Sequence, residues 1–200
     1  HGLARFASGG MHLQELIPPD GLEKPEWPTP GPDGLPVWPS DEKRPRVRTY
    51  TVRQVDLTAG TFDIDFVLHG DNDHSVGSRW AAQAKPGSIV GVRGPVGRAL
   101  PEADWVLLVG DETALPVISR ILENLPATTR GIALLEVADK NEEQKLKFAA
   151  DVELRWLHRG KAEAGQSTLL FDAVREIRPP ADAGKIYAMA GVEYTAARAI

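Results

Sequence analysis

Cysteine is absent from this 200-residue chain. Without a thiol there is no disulfide, no thiolate nucleophile and no cysteine-held iron–sulfur cluster, so redox chemistry here would need a bound organic cofactor. Long apolar runs are lacking too, since nothing approaches the roughly 18 residues of a membrane span. The first residues have no basic-then-apolar leader pattern. The expectation is a soluble, cytoplasmic protein with no stable membrane insertion. Positive charge is not in excess: 23 Lys and Arg stand against 28 Asp and Glu, a formal net charge of -5. That balance argues against nucleic acid as a partner, because phosphate backbones are bound by basic surfaces. No metal site is expected either, as His69 and His74 have no carboxylate or sulfur partner at a recognised ligand spacing.

What is present is a globular composition, 42% hydrophobic and 26% charged, enough to bury a core in one large or two small domains. Nine prolines fall between positions 18 and 45. Proline removes backbone donors, so this stretch reads as a surface loop, and its Trp27 and Trp38 keep a ligand contact open. From 46 to about 97 short strands alternate with Gly-Pro turns, the pattern of a small antiparallel barrel. Phe62, Ile64, Phe66 and Leu68 are expected to form the core face of one strand, with Asp63, Asp65, Val67 and His69 on the other. Beyond residue 100 the grammar becomes strand-helix-strand. Apolar runs at 105–109, 131–137, 152–157 and 186–190 read as parallel strands, with helices at 116–124, 142–149, 169–177 and from Tyr194 onward. Such alternation predicts a doubly wound α/β domain whose ligand site lies beyond the carboxyl ends of its strands. The boundary is placed between residues 98 and 99.

Several residues carry candidate chemistry. In Arg48-Thr49-Tyr50-Thr51-Val52-Arg53, alternation puts Arg48 and Tyr50 on one face, a cation for a diphosphate beside a flat ring for an isoalloxazine. Thr51 faces the other way, with a hydroxyl for a flavin ring nitrogen. The same composition also suits an ordinary edge strand. Asp65 and His69 could reach the ribose or adenine end of a dinucleotide, or be solvated polar residues. Gly77 and Ser78 open a helix at 78–82, with Ser78 either at an anion-binding helix start or as a plain N-cap. A strand is expected at 89–93. In the loop after the first parallel strand, Asp111 and Glu112 are helix-end acids and Thr113 is the candidate cap. Glu136 and Asp139 could accept from a ribose hydroxyl, favouring NADH. Arg155, His158 and Arg159, beside Trp156, could receive a 2′-phosphate, favouring NADPH, or another anionic ligand; a solvated basic strand end reads the same way. Glu193 is either on the nicotinamide side or a helix cap.

Four ordered blocks, RTYTVR (48–53), DIDFVLHG (63–70), SRWAAQAKPGSIVGVRGPVG (78–97) and ADWVLLVGDETALPVISRILENLPA (103–127), resemble the siderophore-interacting protein family. The resemblance runs from about Phe6 to the last residue. It implies a ferredoxin-reductase-like protein of mixed β and α/β class, with an FAD-binding antiparallel barrel at 1–98 and a doubly wound NAD(P)H-binding domain at 99–200. Both ends are then expected to be missing pieces of a larger protein, the start lacking an initiator methionine. The implied activity is FAD-dependent reduction of a ferric siderophore by NADH or NADPH, in a monomer. The GDETALP loop is implied to lie between flavin and nicotinamide, with Thr113 near the rings, and a Trp-x-x-Arg motif at 156–159 to contact ligand. Two departures stand out: Ser75-Val76-Gly77-Ser78 replaces the family's Gly-x-Ala-Ser, and one extra residue precedes Glu193. A non-catalytic siderophore-binding protein and a flavin reductase for another acceptor are the alternatives.

Overall fold

The computed structural model describes residues 2–8, 11–22, 24–68, 75–97, 99 and 101–192. The chain divides into two compact units, residues 1–99 and 100–200.

The first unit is built from short antiparallel strands. After a helix α1 (Ala4–Ser8), the central strand β1 (His12–Ile17) pairs with β4 (Arg46–Thr51) on one side and β7 (Gly91–Val96) on the other. Two hairpins accompany this sheet, β2 (Thr29–Pro30) with β3 (Pro36–Val37) and β5 (Gln54–Asp56) with β6 (Thr61–Asp63). Among its described residues, the proline-rich stretch 18–45 thus pairs only over two residues per strand, as proline's missing donor dictates. Its Trp27 does not stand free: a Cβ at Gly91 would lie 2.8 Å from the indole, so the ring packs on the β7 backbone. Trp38 carries the Arg44 guanidinium over its ring at 4.8 Å. Phe6, Leu13 and Val52 form a buried cluster with Tyr50, Val55, Phe62 and Ile64 packed against it.

Three local expectations change here. The strand containing Phe62 ends at Asp63, and Leu68 is 59% exposed, so it belongs to no core face. The strand expected at 89–93 runs over 91–96, because Ile89 is 60% exposed and pairing with β1 begins only at Gly91. Helix α2 (Val76–Gln83) starts before Ser78. Its N-cap is Ser75, whose hydroxyl accepts from the Ser78 amide at 3.3 Å, leaving Ser78 buried in the first turn.

The second unit is a four-stranded parallel sheet in the order β10-β9-β8-β11, from β8 (Trp105–Gly110), β9 (Arg130–Val137), β10 (Asp151–His158) and β11 (Ile186–Gly191). Two helices cover opposite faces. Along β8, Trp105 and Val109 share a buried cluster with Leu134 and with Leu170 of α4 (Leu169–Glu176). The alternate face meets α3 (Leu115–Asn124), whose Ile118 lies against Gly110. Near-continuous apolar runs are what burial on both faces demands, and Val106, Leu108, Ala133, Leu134 and Leu135 are fully buried. The expected mixed β and α/β class is therefore what the structure shows. The helix expected at 142–149 is not: a single 3-10 turn, Lys140–Glu142, capped by Asp139, is followed by irregular chain up to β10. Residues 143–149 are half-buried or exposed, so no apolar face rewards a helix there.

Candidate functional site

In the first unit the candidate residues gather where β4 meets α2. Registration with β1 sets Tyr50 opposite Leu13 and Arg48 opposite Glu15, so Arg48 and Tyr50 do share a face. The Tyr50 hydroxyl occupies the space where a Cβ on Gly77 would stand. Only glycine allows that approach, which places the phenol directly over the buried first turn of α2. From there the aromatic surface continues: Tyr50 to Phe66 at 4.6 Å between centroids and Phe66 to Trp80 at 6.1 Å. Thr51 is buried at the end of β4, whereas Thr49 is exposed. Arg48 is exposed and donates to the Val47 carbonyl at 2.9 Å, leaving its charge at the rim of the cradle. Asp65 pairs with Arg53 at 3.8 Å. His69 lies outside the described residues, as do His74 and Glu193. A glycine-floored turn beneath a phenol, flanked by further rings and a rim cation, fits a flavin with its diphosphate tail.

One buried group was not anticipated. Glu15 is 1% exposed, its Oε2 has no hydrogen-bond partner, and burial raises its pKa to about 7. The signal was in the alternation of Leu13, Glu15 and Ile17, which puts the carboxyl on the core face.

In the second unit the chain proceeds from β8 outward to β9 and β10, then returns to place β11 on the other side of β8. The carboxyl ends of β8 and β11 thus flank the point where strand order reverses, the place where such sheets hold ligands. The Asp111 amide donates to the Gly191 carbonyl there at 3.3 Å. Thr113 is not the cap of α3. The residue at that position, Ala114, makes no side-chain cap, and it is Asp111 whose carboxylate accepts from the Thr113 amide at 2.9 Å and hydroxyl at 2.6 Å. The short aspartate side chain closes the turn on itself, which a threonine one residue from the helix cannot do.

The basic candidates do not form one patch. Arg155 and Trp156 are successive residues on β10 and point to opposite faces. Arg155 is held by Glu153 through two bonds of 2.7 and 2.9 Å, which lowers the Glu153 pKa and raises that of Arg155. His158 contacts Glu143 at 2.8 Å. Arg159 reaches the turn after β8 and pairs with Glu112, both side chains nearly buried. Glu136, at the end of β9, is 4% exposed with its pKa raised by burial, an effect opposed by a Ser167 hydrogen bond and by Arg159 and reinforced by Glu112 and Asp111. Ser167 and the pairing of Arg159 with Glu112 carry no local sequence signal. Among the described residues no group of His, Asp and Glu could hold a metal ion, and no helix is long and apolar enough to cross a membrane.

Short antiparallel strands with an aromatic-lined turn in one unit, followed by a parallel sheet with a switch point at its strand ends in the next, define a class: two-unit proteins of mixed β and α/β fold. Comparison with known proteins narrows it. Residues 1–99 match the family description Siderophore-interacting FAD-binding domain, and residues 103–200 match Siderophore-interacting protein. The chain belongs to the siderophore-interacting protein family. A siderophore utilization protein from T. fusca superposes with a TM-score of 0.80 at 37% identity, over 94% of this chain and 69% of that one. Ferric vibriobactin reductase ViuB of Vibrio cholerae is 35% identical over 78% of this chain and 56% of its own length. The NADPH-dependent ferric-chelate reductase of Escherichia coli is 34% identical over 76% and 60% respectively. The chain spans about half the length of the curated relatives it matches.

Proposed function

We propose that this protein is an FAD-dependent NAD(P)H:ferric-siderophore oxidoreductase. The observation that carries the reading is the Tyr50 phenol lying over the side-chain-free floor at Gly77, next to Phe66 and Trp80, in a chain that also supplies a dinucleotide switch point. When bound, FAD supplies the chemistry that joins a two-electron hydride donor to a one-electron ferric acceptor. The chain's own part is position and charge. Arg48 would meet the diphosphate, Thr49, Tyr50 and Thr51 with Gly77 and Ser78 would hold the ring, and Asp65 would serve the ribose end, a role the sequence also offers to His69. Asp111 and Thr113 shape the turn facing the nicotinamide, with Glu193 following β11. Trp156 and His158 on one face of β10, or Arg155 on the other, would contact the nucleotide or siderophore.

Each NAD(P)H oxidised reduces two ferric ions, and ferrous iron leaves because siderophore oxygens are hard ligands suited to the ferric ion. No side chain acts as acid, base or nucleophile in this scheme. The names of the vibriobactin and ferric-chelate reductases support it. In this reading the protein works as a cytoplasmic monomer.

The test is an anaerobic titration of the full-length, FAD-loaded protein. NADH or NADPH is expected to bleach the flavin band, and a ferric siderophore to restore it while a ferrous chelator colours at two irons per nucleotide. A flavin band that stays bleached after the siderophore is added sinks the reading. The cradle has its own test. Gly77→Ala places a methyl against the Tyr50 hydroxyl, so FAD retention is expected to fall about tenfold or more, from an overpacking cost of about 1–3 kcal/mol. A variant of native circular dichroism that purifies with full FAD would show that the flavin binds elsewhere.

A further inference from the structure

The Arg159 guanidinium lies within a set of carboxylates, which is an unexpected setting for a phosphate ligand. Its backbone is fixed, the amide donating to the Val137 carbonyl at 3.1 Å where β9 ends. From that anchor the side chain reaches past the end of β9 to Glu112 in the turn after β8, a separation of 47 residues. The two charged side chains are only 11% and 15% exposed, so the pair is little screened by water. Glu136 and Asp111 are also close enough to act on one another's charge. Arg159 is thus paired with Glu112 and acts on Glu136, a carboxyl that Glu112 and Asp111 also reach. A dianionic 2′-phosphate arriving there would meet net negative charge, and it would have to displace Glu112.

Resting on the proposed reductase reading, we infer that Arg159 is a positioning residue: through Glu112 it holds the turn at 110–113, which the nicotinamide must approach, and it does not bind the 2′-phosphate. The turn is then pinned at three points. Asp111 N–H meets Gly191 O on the β11 side, the Asp111 carboxylate closes the turn on Thr113, and Glu112 ties it to the end of β10. Loss of the arginine also leaves Glu112 and Asp111 to act on Glu136 without the guanidinium that opposes them.

The two roles predict opposite results for Glu112→Gln, a near-isosteric change that leaves the fold intact more readily than loss of the buried arginine. If Arg159 positions the turn, Glu112→Gln and Arg159→Gln each lower kcat on the order of ten- to a hundredfold, with NADH and NADPH alike, because a displaced site element costs rate more than affinity. The double variant is then little worse than either single one. Amide exchange at Thr113 and Leu115 is accelerated in both single variants, a readout that does not depend on the enzyme turning over. If instead Arg159 binds the 2′-phosphate, Glu112→Gln frees it and lowers KM for NADPH, while Arg159→Gln raises KM for NADPH and spares NADH. That pattern, or unchanged exchange at Thr113 and Leu115 in Glu112→Gln, overturns the inference. Absent reductase activity with accelerated exchange would instead place the failure on the proposed function.

Discussion

Glu15→Leu is expected to stabilise the protein by about 3 kcal/mol above pH 7 relative to its effect below pH 4.5, the equivalent of a pKa raised from 4.5 to about 7. The sign follows from proton linkage. In the folded state the buried carboxyl holds its proton up to about pH 7, whereas in the unfolded chain it ionises near 4.5. Between those values the folded state binds more protons, so stability falls as pH rises, and the loss is complete once pH exceeds the folded value. Arg48, opposite Glu15 in the β1–β4 register, does not offset this, because its exposed guanidinium turns to the Val47 carbonyl. Leucine has similar volume, no charge and a better fit to the face that Leu13 and Ile17 already bury. Denaturant midpoints measured from pH 4 to 8 in both proteins check it. The raised pKa of Glu136 contributes the same slope to each and cancels in the difference. Parallel curves for the two proteins would mean that Glu15 is ionised or paired in the native state.

Reading the sequence located what depends on local pattern. The runs placed at 105–109, 131–137, 152–157 and 186–190 differ by no more than a residue at either end from β8, β9, β10 and β11, because strands buried on both faces leave continuous apolar stretches. Helices α3 and α4 were equally visible from apolar spacing and from Pro116 at the helix start. The segment at 142–149 departs from the expected helix: Glu-Glu-Gln-Lys-Leu-Lys is rich in helix formers, but propensity without a face to bury is a weak guide. At α2, Ser75 and Ser78 are both competent caps, and only the backbone decides between them. In the candidate site, Arg48, Tyr50 and Gly77 were legible as residue types, and the contact between the last two was not. The pairing of Arg159 with Glu112 is the harder case, since one reads as an anion ligand and the other as a helix-end acid until the sheet order brings the ends of β8 and β10 to either side of β9.

The second large effect is expected at that sheet's switch point, from Gly110→Ala. A methyl there would lie 2.5 Å from the Ala114 Cβ, 2.7 Å from the Ile118 Cδ1 and 3.2 Å from the Gly191 carbonyl. None of these can move cheaply. Ala114 has no side-chain torsion, Ile118 is fully buried, and the carbonyl belongs to the neighbouring strand β11. Helix α3 would have to lift from the end of β8, at a cost of about 3 kcal/mol. A Cβ on Gly191 would also stand 2.7 Å from the Ala114 Cβ, so that one methyl is wedged between two glycine backbones. Ala114 occupies the N-cap position of α3, where glycine is well tolerated, so Ala114→Gly should cost little alone and restore part of the stability lost in Gly110→Ala. The rescue stays partial because the contact with Ile118 persists. Urea midpoints of the two single variants and the double variant measure this directly. A Gly110→Ala protein of wild-type stability, or one that Ala114→Gly leaves unchanged, would mean that the start of α3 sits further from the strand ends. The turn that Asp111 and Glu112 hold would then have room to move without the helix.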